Sequence, residues 1–414
     1  MKRFRKNLGM WIFISAIVLI MAMTIDGPEA GAADVFKIGV IAPMTGPAAE
    51  TGEGMKGASI IAAEEINKKG GILGRKIELY FGDDESKAAA GASVMERLIN
   101  REKVDIIIGT MNSNVGLATM EIAANYRIPF ILTGPAAQAI ADKIKANPER
   151  YKYLLKPDPS TTTHVIGVAG AAEMIAKEDP KHANKKTAVF VTEHTDWGKG
   201  LASVAEVEMG KVGWKVIDKQ VHDIGETNFM SLLSKIKALN PDLLVTAETS
   251  ASAASSLTKQ FLDQGLKMYL VQVYGPFKPG YLEALGGGVD GLIGESMVEC
   301  HTKLCDEFTK KYINRFGAPK FDVVGSMQYD MMHATANAYE KVGSFDKDKW
   351  IETILAMRIE GTIGVYEFDK GYHDSKVGKD YLPTIVKQLQ GKKWEFIKPD
   401  YMRTQKFIVP SWLK

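Results

Sequence analysis

FKIGVIA (36–42), GASIIAAEEINKK (57–69), KIELYF (76–81), AAAGASVMERLINRE (88–102), DIIIG (105–109), VGLATMEIAAN (115–125) and PFILT (129–133) follow one another along the chain. Short apolar runs alternate with helix-period stretches of roughly 11 to 15 residues, the pattern of strands joined by crossover helices in a parallel sheet. The plan then repeats with unrelated residues: TAVFVT (187–192), GLASVAEVEMG (200–210), WKVIDKQVH (214–222), FMSLLSKIKAL (229–239), LLVTA (243–247), SAASSLTKQFLDQ (252–264) and MYLVQVY (268–274). Two such units in one chain predict an α/β protein of two Rossmann-like lobes with a cleft between them.

The 414 residues suffice for two domains with separate cores. A content of 45% apolar and 25% charged residues is ordinary for a globular protein and argues against disorder or multiple membrane spans. Residues 1–33 differ in kind. Lys2, Arg3, Arg5 and Lys6 form a basic start, no charge occurs from 7 to 25, and Ala30, Gly31, Ala32 and Ala33 supply a small-residue cleavage site. This is the plan of a secretory signal peptide, with a permanent membrane anchor as the competing reading. No cysteine lies nearby for lipid attachment. The mature protein is therefore expected to be soluble and periplasmic. The leader's four basic and two acidic residues account for the formal charge of +2 on the whole chain, so the body is neutral. A neutral body without a basic stripe gives no footprint for nucleic acid.

Cys300 and Cys305, in CHTKLC, are the only cysteines. They suit a small disulfide loop in an oxidising compartment, with free thiols or a zinc site including His301 as alternatives. Three crossings between lobes are expected: LKPDPS (155–160), whose prolines favour an extended path; GGGVDG (286–291) before the strand LIGESM (292–297); and 366–374. The segments 306–316, 324–341 and 347–356 read as helices, and 381–389 with 394–397 as a terminal hairpin. If the helices return to the first lobe and the hairpin to the second, lobe 1 comprises 34–157 and 292–368, and lobe 2 comprises 158–291 and 369–414.

Loops after the strands are rich in small polar residues. DIIIG is followed by Thr110, Met111, Asn112, Ser113 and Asn114, and PFILT by Gly134, Pro135, Ala136, Ala137 and Gln138. Beyond the carboxyl ends of parallel strands such loops, with helix N-termini behind them, receive carboxylates well. Ser and Asn also serve simply as helix caps. Trp197 has polar neighbours that argue for a loop, Thr249 and Ser250 follow LLVTA, and Tyr274 and Phe277 follow MYLVQV.

The segments 38–86, 105–115 (DIIIGTMNSNV), 128–137 (IPFILTGPAA), 196–202 (DWGKGLA), 240–267, 316–330 (FGAPKFDVVGSMQYD) and 365–374 (VYEFDKGYHD) resemble, in order and spacing, the extracytoplasmic solute-binding proteins of branched-chain amino acid ABC transporters. The resemblance spans nearly the whole mature chain. It implies the type I periplasmic binding fold, lobes joined by three crossover strands, and delivery of a small-molecule ligand to an inner-membrane permease and its ATPase by a monomeric protein. It also places the family's ligand-carboxylate serine at Ser113, the backbone of the head-group loop at Gly134 and Ala136, and a ligand-covering aromatic, usually tyrosine, at Trp197. The chain departs from the amino acid binders at Thr51, where they carry an aromatic residue, and in the loop 274–277, which lacks their ammonium-binding carboxylate. Glu193, Asp196 and Glu248 are the available substitutes, although each reads first as a solvated loop charge. The expected ligand is a small polar molecule, whether amino acid, carboxylate or amide, and an aromatic one suits Trp197, Tyr274 and Phe277.

No GxSxG, HExxH, GxxxxGK[ST] or opening GxGxxG motif is present, and His194 has no assignable nucleophile beside it. Neither an enzyme nor a bound cofactor is expected. A ligand-sensing receptor of the same fold, signalling to a regulator, is the alternative to a transporter component.

Overall fold

The computed structural model describes residues 35–414 except 288, 298 and 319, so the expected signal peptide lies outside the described residues. In the first lobe β1 (Phe36–Ala42), α1 (Ala49–Lys68), β2 (Ile77–Asp83), α2 (Ala88–Arg97), β3 (Ile106–Gly109), α3 (Ser113–Tyr126), β4 (Phe130–Leu132), α4 (Gln138–Ala146) and β5 (Leu154–Leu155) alternate as the pattern predicts. Their strands form a parallel sheet in the order β2-β1-β3-β4-β5. Helices cover both faces, which is why β3 and β4 are apolar and buried throughout instead of alternating.

The second lobe contains α5 (Thr161–Glu178), β6 (Thr187–Glu193), α6 (Asp196–Lys211), β7 (Lys215–His222), α7 (Met230–Leu239), β8 (Leu243–Ala247), α8 (Ala251–Asp263), β9 (Tyr269–Val273), α9 (Tyr281–Leu285) and β10 (Ile293–Ser296). The chain then forms α10 (Lys303–Phe316), α11 (Val323–Val342), α12 (Lys347–Ala356) and the small hairpin β11 (Ile359–Gly361) and β12 (Gly364–Tyr366). It ends in β13 (Ile385–Gln390) and β14 (Lys393–Lys398). The second sheet runs β14-β13-β10-β9-β8-β6-β7, parallel from β10 to β7, with β13 and β14 added antiparallel.

The helical block does return to the first lobe. α11 packs along α1. Gln328 accepts from Thr133 Oγ1 at 2.9 Å and donates to Ser59 Oγ at 3.0 Å. Small residues on α1 make the approach close: a Cβ on Gly54 would stand 2.8 Å from Phe321 Cα.

Three crossings join the lobes. The first runs from Leu155, the end of β5, to Thr161, where α5 begins. The second differs from expectation. β10 is a fully buried strand of the second sheet, hydrogen-bonded to β9 and β13, so the chain leaves that sheet after Ser296 and not at 291. Gly286 closes α9, and Asp290 and Gly291 form the turn just before β10. In the third, Asp374 bridges Lys156 in parallel, and Lys156 N donates to the His373 carbonyl at 2.8 Å, so the first and third connections lie side by side.

Candidate functional site

In each sheet the strand order reverses beside the first strand of the unit, between β1 and β3 in one lobe and between β6 and β8 in the other. Open α/β sheets form crevices at such points, beyond the carboxyl ends of the strands. A cavity of about 530 Å³, counting space open to solvent, lies there and draws its walls from both lobes.

Met111, Asn112, Ser113, Gly134 and Ala136 make the first wall. Thr110, at φ +62°, turns the chain out of β3 and into α3. Asn112 sits at the N-cap of α3 yet makes no side-chain cap bond, so the first N–H groups of that helix have no side-chain acceptor from the cap. Ser113 Oγ accepts from Ala137 N at 3.1 Å, tying the loop after β3 to the loop after β4. Among the described residues its hydroxyl donates to no acceptor. Gly134 packs too closely for any side chain, since a Cβ would meet Met111 Cα at 2.9 Å and Val324 Cγ1 at 3.0 Å. The arrangement offers a hydroxyl and a positive helix end to an anion.

Thr195, Trp197, Thr249 and Tyr274 make the facing wall. Thr195 caps α6 by accepting from Gly198 N at 2.9 Å. That cap sets Trp197 in the first turn, where its ring meets His164 and Tyr274 edge-on at centroid distances of 5.6 and 6.2 Å. Thr249 is fastened from below: its N–H and hydroxyl donate to the Glu193 carboxylate at 2.9 and 2.8 Å. Tyr274 holds φ +66°, a conformation costly for a residue with a side chain and found preferentially at functional sites.

Beside the cavity the lobes touch through charge. Lys278 donates from lobe 2 to Asp322 of lobe 1 at 2.6 Å, with both side chains buried. Lys278 also donates to Tyr274 OH at 2.6 Å and to Thr51. Tyr274 and Thr51 donate in turn to Asp322 Oδ2 at 2.8 and 2.7 Å. Burial alone would push the Asp322 carboxyl up; the Lys278 ammonium and the hydroxyl donors outweigh it and hold it below the usual range. A second contact runs from Ala251 N at the start of α8 to Glu50 of lobe 1, at 2.8 Å. Thr51 thus carries an interlobe bond at the position where the resemblance places an aromatic side chain.

Several residues stand elsewhere than the sequence suggests. Glu193 and Glu248 are fully buried behind the Thr249 loop, not solvated, because β6 and β8 end inside the lobe. Desolvation pushes Glu193 up to about 7 and Glu248 well above the carboxylate range. Asp196 is half-buried. Gln138 turns along its own helix to Asp142 at 3.0 Å, and Ser250 caps α8 by accepting from Ala253 N at 3.2 Å. Phe277 packs under the sheet against Trp394 and Gly294. None of these three lines the cavity. Cys300 and Cys305 are joined as a disulfide, which decides among the three readings of that pair.

The cavity also contains residues that the sequence reading passed over. Met297, Val323, Val324 and Met327 form an apolar floor from the second crossing and the start of α11. Their burial is tertiary, and nothing in their spacing announces it. Asp158, 4% exposed, and His164 come from the first crossing and the first turn of α5. An acid between two prolines in LKPDPS was the available signal for Asp158. His164 Nδ1 pairs with Glu295 at 2.8 Å.

The profile of the family described as periplasmic binding protein matches residues 35–376. Leu/Ile/Val-binding protein homolog 7 of Brucella suis is 26% identical over 365 residues, 83% of this chain and 86% of that protein. Leu/Ile/Val-binding protein BraC3 of Rhizobium johnstonii is 28% identical over 211 residues, and there the match spans about half of each protein (50% and 53%). Among solved structures, a leucine binding protein from Thermotoga maritima superposes with a TM-score of 0.73 at 24% identity, covering 88% of this chain and 98% of that one. A solute-binding protein of an ABC transporter from R. palustris, in complex with benzoate, gives 0.72 at 20% identity, covering 88% and 95%.

Proposed function

Since the chain belongs to the periplasmic binding protein family, we propose that it captures a small carboxylate between its lobes and delivers it to an inner-membrane ABC permease. The observation that carries this reading is the pairing, in one interlobe cavity, of an anion-receiving corner with an apolar floor. The carboxylate takes the Ser113 hydroxyl, the uncapped start of α3 at Asn112 and the backbone of Gly134 and Ala136. The apolar body rests on Met297, Val324 and Met327, and Trp197, Thr249 and Tyr274 close over it. Relatives that bind amino acids or benzoate by their names support a ligand of this size. Ligand binding shifts an open-to-closed equilibrium, and the permease reads the closed shape. The protein acts as a monomer in the periplasm after cleavage near residue 33. It is a binding protein, like its relatives, and not an enzyme.

The test is a thermal-shift and calorimetric screen of mature protein against amino acids, aliphatic acids, benzoates and amides. A ligand at 100 times its dissociation constant stabilises by about 2.7 kcal/mol. Carboxylates should shift the melting temperature and their neutral amides should not; the reverse preference overturns the reading of the site. Delivery is checked in vesicles carrying the permease and ATPase of the same transport system, where loaded protein should stimulate ATP hydrolysis. Edman sequencing of periplasmic protein should start at Ala33 or Asp34, and light scattering should return the mass of one chain.

A further inference from the structure

We infer that Asp158 is a second ligand-recognition point, one that selects carboxylates bearing an N–H or O–H donor besides their carboxyl group. The inference rests on the carboxylate reading given above. Asp158 lines the cavity and is nearly sealed from bulk solvent, yet among the described residues no hydrogen bond reaches its carboxylate. A buried carboxylate in that condition is costly, and native structures rarely leave one so.

The charged groups around it do not supply the missing partner. Lys156, itself fully buried, turns its ammonium to the main-chain carbonyl of Asp158, and its charge acts on Asp374 as well. The Asp374 carboxylate takes a further bond from Ser160 at 3.0 Å. Lys278 is committed to Asp322, and His164 to Glu295. Asp158 and Asp374 thus share the one ammonium of Lys156, and of the two it is Asp158 that lines the cavity. A ligand ammonium or hydroxyl placed there satisfies the acceptor and, if cationic, completes the balance. Ser113, in the same lining, offers donors instead. The cavity therefore reads a ligand by two unlike groups.

Calorimetry with matched pairs tests this: L-leucine against 4-methylpentanoate, which lacks only the amine, and 4-hydroxybenzoate against benzoate, which lacks only the hydroxyl. Mature wild-type protein should prefer the donor-bearing member of one pair at least tenfold. Preference in the first pair identifies an ammonium as the partner of Asp158, and in the second a hydroxyl. Asp158→Ala, which leaves no acceptor at that position, should abolish that preference. Asp158→Ser serves as a second variant, with the ligand-free melting temperature as the check on folding. Equal affinities within both pairs for wild type, or a preference that survives both variants, overturn the role of Asp158 and leave the carboxylate reading standing. Failure of all four acids to bind, with amides binding in their place, overturns the carboxylate reading and this inference together.

Discussion

Ser113 and Trp197 ask different things of their surroundings. Ser113 already accepts one backbone hydrogen, so removing its hydroxyl costs the ligand a donor and the protein only that one loop contact. Ser113→Ala should weaken carboxylate binding by about 1.5–3 kcal/mol, the range for hydrogen bonds to charged groups. A large loss of ligand-free stability with unchanged affinity would show the serine to be a structural tie alone. Trp197 packs on two rings of its own lobe as well as lining the cavity. Trp197→Ala should cost at least tenfold in affinity, about 1.4 kcal/mol, and about 1–2 kcal/mol of ligand-free stability through the lost edge contacts. Trp197→Phe should recover most of both. Glu193 yields a prediction in pH. Its buried carboxyl titrates near 7 when folded against an ordinary value of 4.5, so the native state holds a proton that the unfolded state releases. Its contribution to stability therefore falls as pH rises from about 4.5 to 7. Glu193→Gln cannot charge. Its stability relative to wild type, from urea titration, should rise between pH 5 and pH 8 by an amount on the order of 2–3 kcal/mol. A flat difference would show that the carboxyl ionises freely.

At the level of elements, the start of α10 is where the second crossing is made firm. Thr302 caps the helix by accepting from Cys305 N at 3.2 Å, and the disulfide ties Cys305 back to Cys300. A loop this short restricts the unfolded chain modestly, by about 2 kcal/mol in the chain-entropy account. Replacing both cysteines with serine should lower stability by about that amount in urea titration, with ligand affinity nearly unchanged. A loss of affinity much larger than the loss of stability would mean that the loop positions Met297 on the cavity floor. The elements themselves were legible because their apolar periods are strong: α10, α11 and α12 stand within a few residues of the predicted helices, and β13 and β14 form the expected hairpin. The sequence GGGVDG misled on the second crossing because a glycine cluster signals a turn as readily as a hinge.

For the whole molecule, the buried Lys278–Asp322 pair bridges the two lobes, so in the proposed open-to-closed cycle it is expected to act on closure more than on folding. When the lobes part, both groups regain water, and when they meet, each depends on the other. Removing one partner of a buried pair typically costs about 3–5 kcal/mol, and here that cost falls on the closed state. Lys278→Met should thus reduce ligand affinity by well over tenfold while the ligand-free melting temperature changes little. Small-angle scattering should then show an expanded radius of gyration at ligand concentrations that close wild type. Lys278→Met with Asp322→Asn should recover part of the affinity, because Asn keeps a cap for α11 without a buried charge. A variant that loses its fold without ligand would place the pair in the folding core instead.

Sequence alone determined the two α/β units, their strand-to-helix order and the segments that carry Ser113, Gly134, Trp197 and Thr249, because each is written in contiguous residues. Only the tertiary structure decided which lobe holds β10, that Gln138, Ser250 and Phe277 turn away from the cavity, and that Glu193 and Glu248 lie buried beneath it. It also decided that Val324 and Met327, more than 200 residues from Ser113, floor the same cavity, and that the Asp158 carboxylate lines it with no hydrogen bond among the described residues. The physical reason is the same in each case. Period and turn chemistry are local, whereas burial and charge pairing depend on what the crossings bring from distant parts of the chain, and spacing in a sequence records none of that.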